Sequence, residues 1–276
     1  MPDEKKSVIE KAPTDAVSAL NALVRDLAPQ GAALPGAAAL PPADSHSFFD
    51  MLHRDAMRAA GEIKRSVKEQ REAYIRKKHD SGGIDGRFTF ETLRVDSFNQ
   101  RAVNEAKAFC ASAPQMAAEP VVLIIQGFEG TGKTVLCHAI ANYFLRFSRN
   151  PSVELVSFET LRQSHFYSNT EDKEERQQRA RLIEHFESVN LLILDPLTST
   201  REGFSLFDQK IFANLLRNRL QRRLSMVMTI IQPFGQLHNS IGDLCFESLK
   251  AYSVLTTELY GQSRRPQIMV NGVPLR

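Results

Sequence analysis

The sequence predicts an α/β fold: a five-stranded parallel sheet with helices on both faces, preceded by a helical N-terminal region. Three observations carry that expectation. From Arg87 onward, short apolar β-branched runs alternate with helical stretches, the pattern of a parallel sheet covered on both faces. A glycine-rich loop joins the first of these runs to a helix within residues 121–145. A later run, LLILD at 191–195, delivers a carboxylate at the end of an apolar strand.

The chain divides into four parts. Residues 1–29 form a short helix: Thr14 can cap it, and Val17, Leu20, Val24 and Leu27 make an apolar stripe. So short a helix is marginal alone in water, so the stripe must dock on this chain or on a partner. Residues 30–46 are rich in Ala, Pro and Gly and have too few large side chains to pack a core, so they read as a linker. Residues 47–86 hold a second helix over 47–78 and a hinge. In that helix Phe49, Leu52, Ala56, Ala60, Ile63, Val67 and Tyr74 recur at spacings of three and four, a narrow seam of the kind helix pairs use. Its outer face is basic, with Arg54, Arg58, Lys64, Arg65, Lys68 and Arg71 among its cations. That face is either simply solvated or a surface for phosphates or an acidic partner. SGGIDG at 81–86 breaks the pattern and marks the boundary of the last part, residues 87–276.

Within 87–276 the order is regular. A helix places Ala102, Val103, Ala106 and Phe109 on one side. VVLIIQ from Val121 is the first strand, and a helix follows over Val135, Leu136, Ala139, Ile140, Tyr143 and Phe144. VELVSF at 153–158 is the second strand, 161–188 is helical with a polar middle, and LLILD is the third strand. A helix over 204–224, a strand SMVMTII at 225–231 and a fifth strand AYSVLTTEL at 251–259 complete the set.

Gly127, Phe128, Glu129, Gly130, Thr131, Gly132, Lys133 and Thr134 satisfy G-x-x-x-x-G-K-[ST], with the preceding strand and following helix that the phosphate-binding mechanism requires. Glycines at positive φ bring backbone N–H groups close to an anion. Those groups and the helix N-terminus form a cradle for a β-phosphate. Lys133 adds a point charge at the β- and γ-phosphates, and Thr134 offers a hydroxyl to Mg²⁺. Asp195 is placed to hold the same Mg²⁺ through water. The implied ligands are ATP or ADP with Mg²⁺, and if hydrolysis occurs Lys133 and Asp195 carry it.

Composition narrows the remainder. A net charge of +3 in 276 residues does not itself argue for nucleic acid. Cys110, Cys137 and Cys245 are far apart without metal-ligand spacing, so they read as core hydrophobes in a reducing compartment. MPDEKK leads into no apolar signal region, and no apolar run approaches the ~18 residues that span a bilayer. A cytoplasmic protein without membrane contact is expected.

FTFETLRVDSFNQRAVNEAKAF, GFEGTGKTVLCHAIANYFL, VELVSFETLRQS and VNLLILDPL together resemble the DnaC/IstB-type ATPases, over about residues 88–229. Those are AAA+ proteins that load the replicative helicase or assist transposases. The resemblance implies a five-stranded AAA+ core, an N-terminal region that binds the helicase, single-stranded DNA contact after the second strand, and possible oligomers. Three departures stand against the family pattern. Its metal-site Asp is followed by a water-polarising Glu, where this chain has Pro196. Its polar sensor, commonly Asn, ends the fourth strand, where this chain has Thr229, Ile230 and Ile231, with Gln232 only later. Its arginines would fall in 241–249, which contains none. General-base help is worth about 10²–10⁴ in rate and an arginine finger about 10³–10⁵. Phosphate binding with weak hydrolysis is therefore expected, and Glu202 is the nearest substitute base.

Arg217, Arg219, Arg222 and Arg223 cluster at the end of the helix before the fourth strand. Cations suit a helix C-terminus, so part of this cluster needs no partner. Arg176, Arg179 and Arg181 follow Phe166 and Tyr167, and aromatics beside arginines grip single strands without sequence preference. The expected function is thus an ATP-binding, helicase-loader-like protein of DNA replication. The alternatives are a transposition helper, a non-catalytic inhibitor that copies a loader, or a P-loop small-molecule kinase with Arg264 and Arg265 as its lid.

Overall fold

A computed structural model describes residues 45–112, 119–148, 151–166, 173–198, 203–265, 269–270 and 273–274. The predicted N-terminal helix and all but the end of the linker lie outside them, as do Tyr167 and Glu202. The chain divides into two compact units, residues 1–62 and 63–276, and the division falls inside one helix, α1, Ser45–Asp80.

The second unit is built on a five-stranded sheet, β1 Val121–Gly127, β2 Val153–Val156, β3 Leu191–Leu194, β4 Ser225–Ile230 and β5 Ser253–Leu259. Its order is β2-β3-β4-β1-β5 and every pairing is parallel. The helices between strands are α3 Lys133–Phe147, α4 Phe158–Phe166, α5 Lys173–Ser188, α6 Leu206–Gln221, and the short α7 Leu237–Ile241 and α8 Asp243–Leu249. A further helix, α2 Gln100–Ala111, precedes β1. The predicted α/β architecture with five parallel strands is borne out.

Side-chain alternation along the strands sorts the core into two layers, because successive residues point to opposite faces. Leu123 and Ile125 of β1, Leu191 and Ile193 of β3, and Val227 of β4 pack with α2 and α3. Val122, Ile124, Leu192, Leu194, Met226, Met228 and Ile230 pack with α4 to α8. β1, β3 and β4 read as nearly continuous apolar runs because both their faces are covered, whereas the edge strand β5 is polar and partly exposed. Cys110, Cys137 and Cys245 are free and buried, and burial alone pushes the Cys110 thiol up. Among the described residues, no helix is long and apolar enough to cross a membrane.

The predicted helix over 204–224 is trimmed at both ends. Ser205 Oγ accepts from Asp208 N at 3.2 Å and Asp208 Oδ2 accepts from Ser205 N at 3.1 Å, a reciprocal capping box. Ser205→Ala is expected to cost about 1 kcal/mol, read as a lower urea midpoint with an unchanged m-value.

The 63–80 part of α1 belongs to the sheet unit. Tyr74 and Ile75 pack against the α2/α3 layer, and Arg71 donates to the carbonyls of Arg146 and Ser148 at the end of α3. His79 pairs with Asn142, whose amide also bonds the carbonyls of Asp85 and Phe88. Ile84, in the segment whose glycines signalled a hinge, is buried in the core. Ile63 and Val67 of the predicted seam remain exposed.

Candidate nucleotide site

Parallel strands place their C-terminal ends along one edge, where open α/β sheets bind ligands. The loop after β1 lies there. Gly130 and Gly132 adopt φ of +78° and +104°, values that side-chain-bearing residues rarely reach. At Gly127 the constraint is space, since a Cβ would fall 2.8 Å from Leu259 O and 2.9 Å from Thr131 Oγ1. Thr131 is buried, and its hydroxyl donates to Phe128 O at 2.8 Å, which fixes the turn.

Lys133 opens α3, and its Nζ donates to Gly127 O at 2.6 Å and Phe128 O at 2.9 Å. Burial pulls its pKa below the usual lysine value, while Asp195 and Glu129 act the other way. The ammonium is therefore held inside its own loop, facing a cavity of about 740 Å³ lined by Glu129–Thr134, Asp195, Pro196 and Phe88 among others. That size lies within the range of small-ligand sites.

Asp195 follows β3 directly, with its N–H donating to Val156 O at 2.9 Å. Its carboxylate accepts from the fully buried Thr229 hydroxyl at the end of β4. Thr229 thus puts a polar group near the end of β4 and joins that strand to the acid that follows β3. Thr134 and Asp195 border the same cavity. Among the described residues no group of three or more His, Cys, Asp and Glu side chains converges as a metal site. One carboxylate and one hydroxyl fit a Mg²⁺ whose other ligands are phosphates and water, and the amide cradle beside them fits those phosphates.

Several neighbours of the site carry no local sequence signal. Phe88 stacks on His138 with ring centroids 5.9 Å apart, and His138 Nδ1 accepts from Asp85 N at 3.2 Å. Burial chiefly pulls the His138 pKa down, which keeps the ring neutral and able to accept. Arg264 and Arg265, far along the chain, also border the cavity.

The predicted DNA-contact arginines do not form one patch. Arg219 is a correction: it is fully buried, and its guanidinium donates to Phe186 O and Val189 O at 2.8 Å, Ser225 O at 2.7 Å and Asn190 O at 3.5 Å. It fastens α6 to the chain around β3 and β4 and cannot reach a phosphate backbone. Arg217, Arg222 and Arg223 are exposed at the end of α6, where Arg222 pairs with Glu184 of α5 at 2.8 Å. Arg176 and Arg179 lie in the first half of α5. At 1.5 Å per residue Arg176 is about 12 Å along the axis from Glu184. Arg179 pairs with Glu175 at 3.6 Å.

A parallel sheet with a phosphate-type loop after its first strand, an acid after the third and this strand order define an ATPase domain of the AAA+ class. Residues 84–231 match the family described as the bacterial DnaA ATPase domain, and the chain belongs to that family. The chromosomal replication initiator protein DnaA of Corynebacterium jeikeium (strain K411) is 34% identical over 134 residues, covering 44% of this chain and 22% of that protein. The chain thus matches only about a fifth of that relative's length. The structure is similar to that of the DnaC helicase loader, with a TM-score of 0.52, 14% identity, and 62% and 97% of the two chains covered. It is also similar to the replication initiator DnaA bound to AMPPCP and single-stranded DNA, with a TM-score of 0.50, 18% identity, and 66% and 53% covered. Membership is therefore with the DnaA domain, where the sequence resemblance pointed to the DnaC/IstB type; the DnaC loader shares the fold.

Proposed function

We propose that this chain is a nucleotide-binding AAA+ module of DNA replication that holds ATP with Mg²⁺ and cleaves it slowly. One observation carries it: Lys133, Thr134 and Asp195 border a single cavity in which the position after the acid is Pro196. Backbone amides of Gly127–Thr134 hold the phosphates, Lys133 neutralises them, and Thr134 with Asp195 holds the Mg²⁺. Mg²⁺ supplies charge neutralisation of the phosphates when bound. Pro196 has no acid–base group to polarise water. Nucleotide binding then acts as a ligand that biases a conformation or assembly. Adenine nucleotide is favoured by membership in an ATPase family and by the AMPPCP of the structurally similar initiator.

Residues 1–86 are assigned to a replicative helicase. This assignment rests on the basic helix and the tethered amphipathic segment, with fold similarity to a helicase loader as its only outside support. Single-stranded DNA is assigned to the exposed arginines at the end of α6, Arg217, Arg222 and Arg223, with Arg176 and Arg179 of α5 as a separate second group. Steady-state phosphate release by the full chain tests the slow-cleavage claim. Turnover far below the typical enzyme median of about 10 s⁻¹ is expected; release near that rate, abolished by Lys133→Ala, overturns it.

A further inference from the structure

Asn142 lies on α3, the helix that Lys133 opens, and its side chain is buried. Its amide nitrogen donates to two backbone carbonyls of the segment before α2, Asp85 O at 2.9 Å and Phe88 O at 2.8 Å. Carbonyls only accept, so the amide cannot be turned the other way, and its Oδ1 faces His79 Nε2 at 2.8 Å. His79 Nε2 is therefore the donor of that pair. The last turn of α1 thus reaches the buried amide through one side chain. The fit there is close: a Cβ on Gly86 would fall 2.7 Å from Cε1 and Nδ1 of the His79 ring.

His138 stands one turn before Asn142 on the same face of α3. Its Nδ1 accepts from Asp85 N, and its ring stacks on Phe88. Two side chains of α3 therefore hold the N–H and carbonyl of Asp85 and the carbonyl and ring of Phe88. Phe88 borders the cavity with Leu93, Val103 and Leu136, which give it an apolar wall beside the polar loop of Gly130–Thr134. Loop and wall are thus tied to one helix, the loop at its first turn and the wall along its flank. A buried amide with both hydrogens bonded holds one arrangement, because a member left unpaired is costly.

We propose that Asn142 is a positioning residue for the nucleotide site: with His138 it sets the Phe88 wall relative to the phosphate loop, and through His79 it links nucleotide affinity to the seating of α1. The proposal rests on the nucleotide reading above and adds a point of control to it. Such a link is reciprocal. A nucleotide that needs the wall in place tightens the last turn of α1, and displacement of that turn weakens the nucleotide by the same factor.

Hydrogen exchange and equilibrium binding by the full chain test this, with Mg²⁺-AMPPCP as the probe. Saturation of the unaltered protein should slow exchange of the amides of residues 79–88. His79→Ala should weaken AMPPCP by about three- to tenfold and Asn142→Ala by roughly ten- to hundredfold, each measured where circular dichroism shows the variant folded. The double variant should be no weaker than Asn142→Ala alone, because His79 acts through that amide. His138→Asn keeps an acceptor where Nδ1 stood and should retain most of the affinity that His138→Leu loses. Should Asn142→Ala fail to fold, His79→Ala and exchange in the unaltered protein decide alone. Unchanged exchange at 79–88 in the nucleotide-bound protein, or full affinity in His79→Ala, overturns the link. If the unaltered protein binds no AMPPCP, the nucleotide reading itself fails and the proposal falls with it.

Discussion

Arg219→Ala is expected to destabilise the sheet unit by about 3–5 kcal/mol, a value at the upper end for a single substitution. The guanidinium answers carbonyls of Phe186, Val189, Asn190 and Ser225 in a region closed to water. Truncation leaves those acceptors unpaired and opens a cavity of side-chain size beside Phe186. Burial pushes the guanidinium pKa down to about 9, which still leaves it charged at neutral pH with its carbonyls around it. Arg219→Lys should fall between, because one ammonium cannot reach every acceptor that the planar fork reaches. Urea unfolding of the full-length variants measures both. Arg222→Ala is the internal contrast: its ion pair with Glu184 is exposed, and its removal should cost ~0.5 kcal/mol or less. Any DNA-binding defect in Arg219→Ala should then track loss of folded protein, whereas one in Arg222→Ala should not.

Lys133→Ala should weaken nucleotide binding by about 2–3 kcal/mol, roughly 30- to 150-fold, with little effect on folding. The asymmetry follows from the hydrogen bonds. Phe128 O keeps the Thr131 hydroxyl as donor when the ammonium is removed, and Gly127 O borders the loop, where water can replace the lysine. A bound triphosphate has no such replacement for a charge that is already partly buried beside the loop. Thermal melting of the two proteins, each with and without Mg²⁺-AMPPCP, separates the effects. The midpoints should coincide without ligand and diverge with it.

How much of this was legible in the sequence depends on how local the signal is. The loop at 127–134 is short-range chemistry, with strand, glycines and helix start all within fifteen residues, and its backbone follows from its spacing. The sheet was legible because β1, β3 and β4 are apolar on both faces. The boundaries slipped where caps decide them, as at Ser205. The strand pairing order was beyond single-sequence periodicity, since β1 lies between β4 and β5.

At Arg219 helical phase overrides charge. It continues the row Ile211 and Leu215 at four-residue spacing, so its place on the buried face could have been read from the helix itself. Thr229 and Asp195 are 34 positions apart, and Arg264 and the Asp96 carboxylate it pairs with are 168 apart. No window of sequence joins such pairs; parallel pairing of β3 with β4, and of β1 with β5, does. The signal available for Arg264 and Arg265 was only a doublet of arginines after the last predicted strand.

Isothermal titration of the full chain with Mg²⁺-ATP tests the central claim most directly. The account predicts saturable heat for a single site, accompanied by a rise in melting temperature and lost in Lys133→Ala. A flat titration with no thermal protection would mean that the amides of 127–134 and the Lys133 ammonium do not receive a triphosphate, and the assignment of this cavity to nucleotide would be wrong.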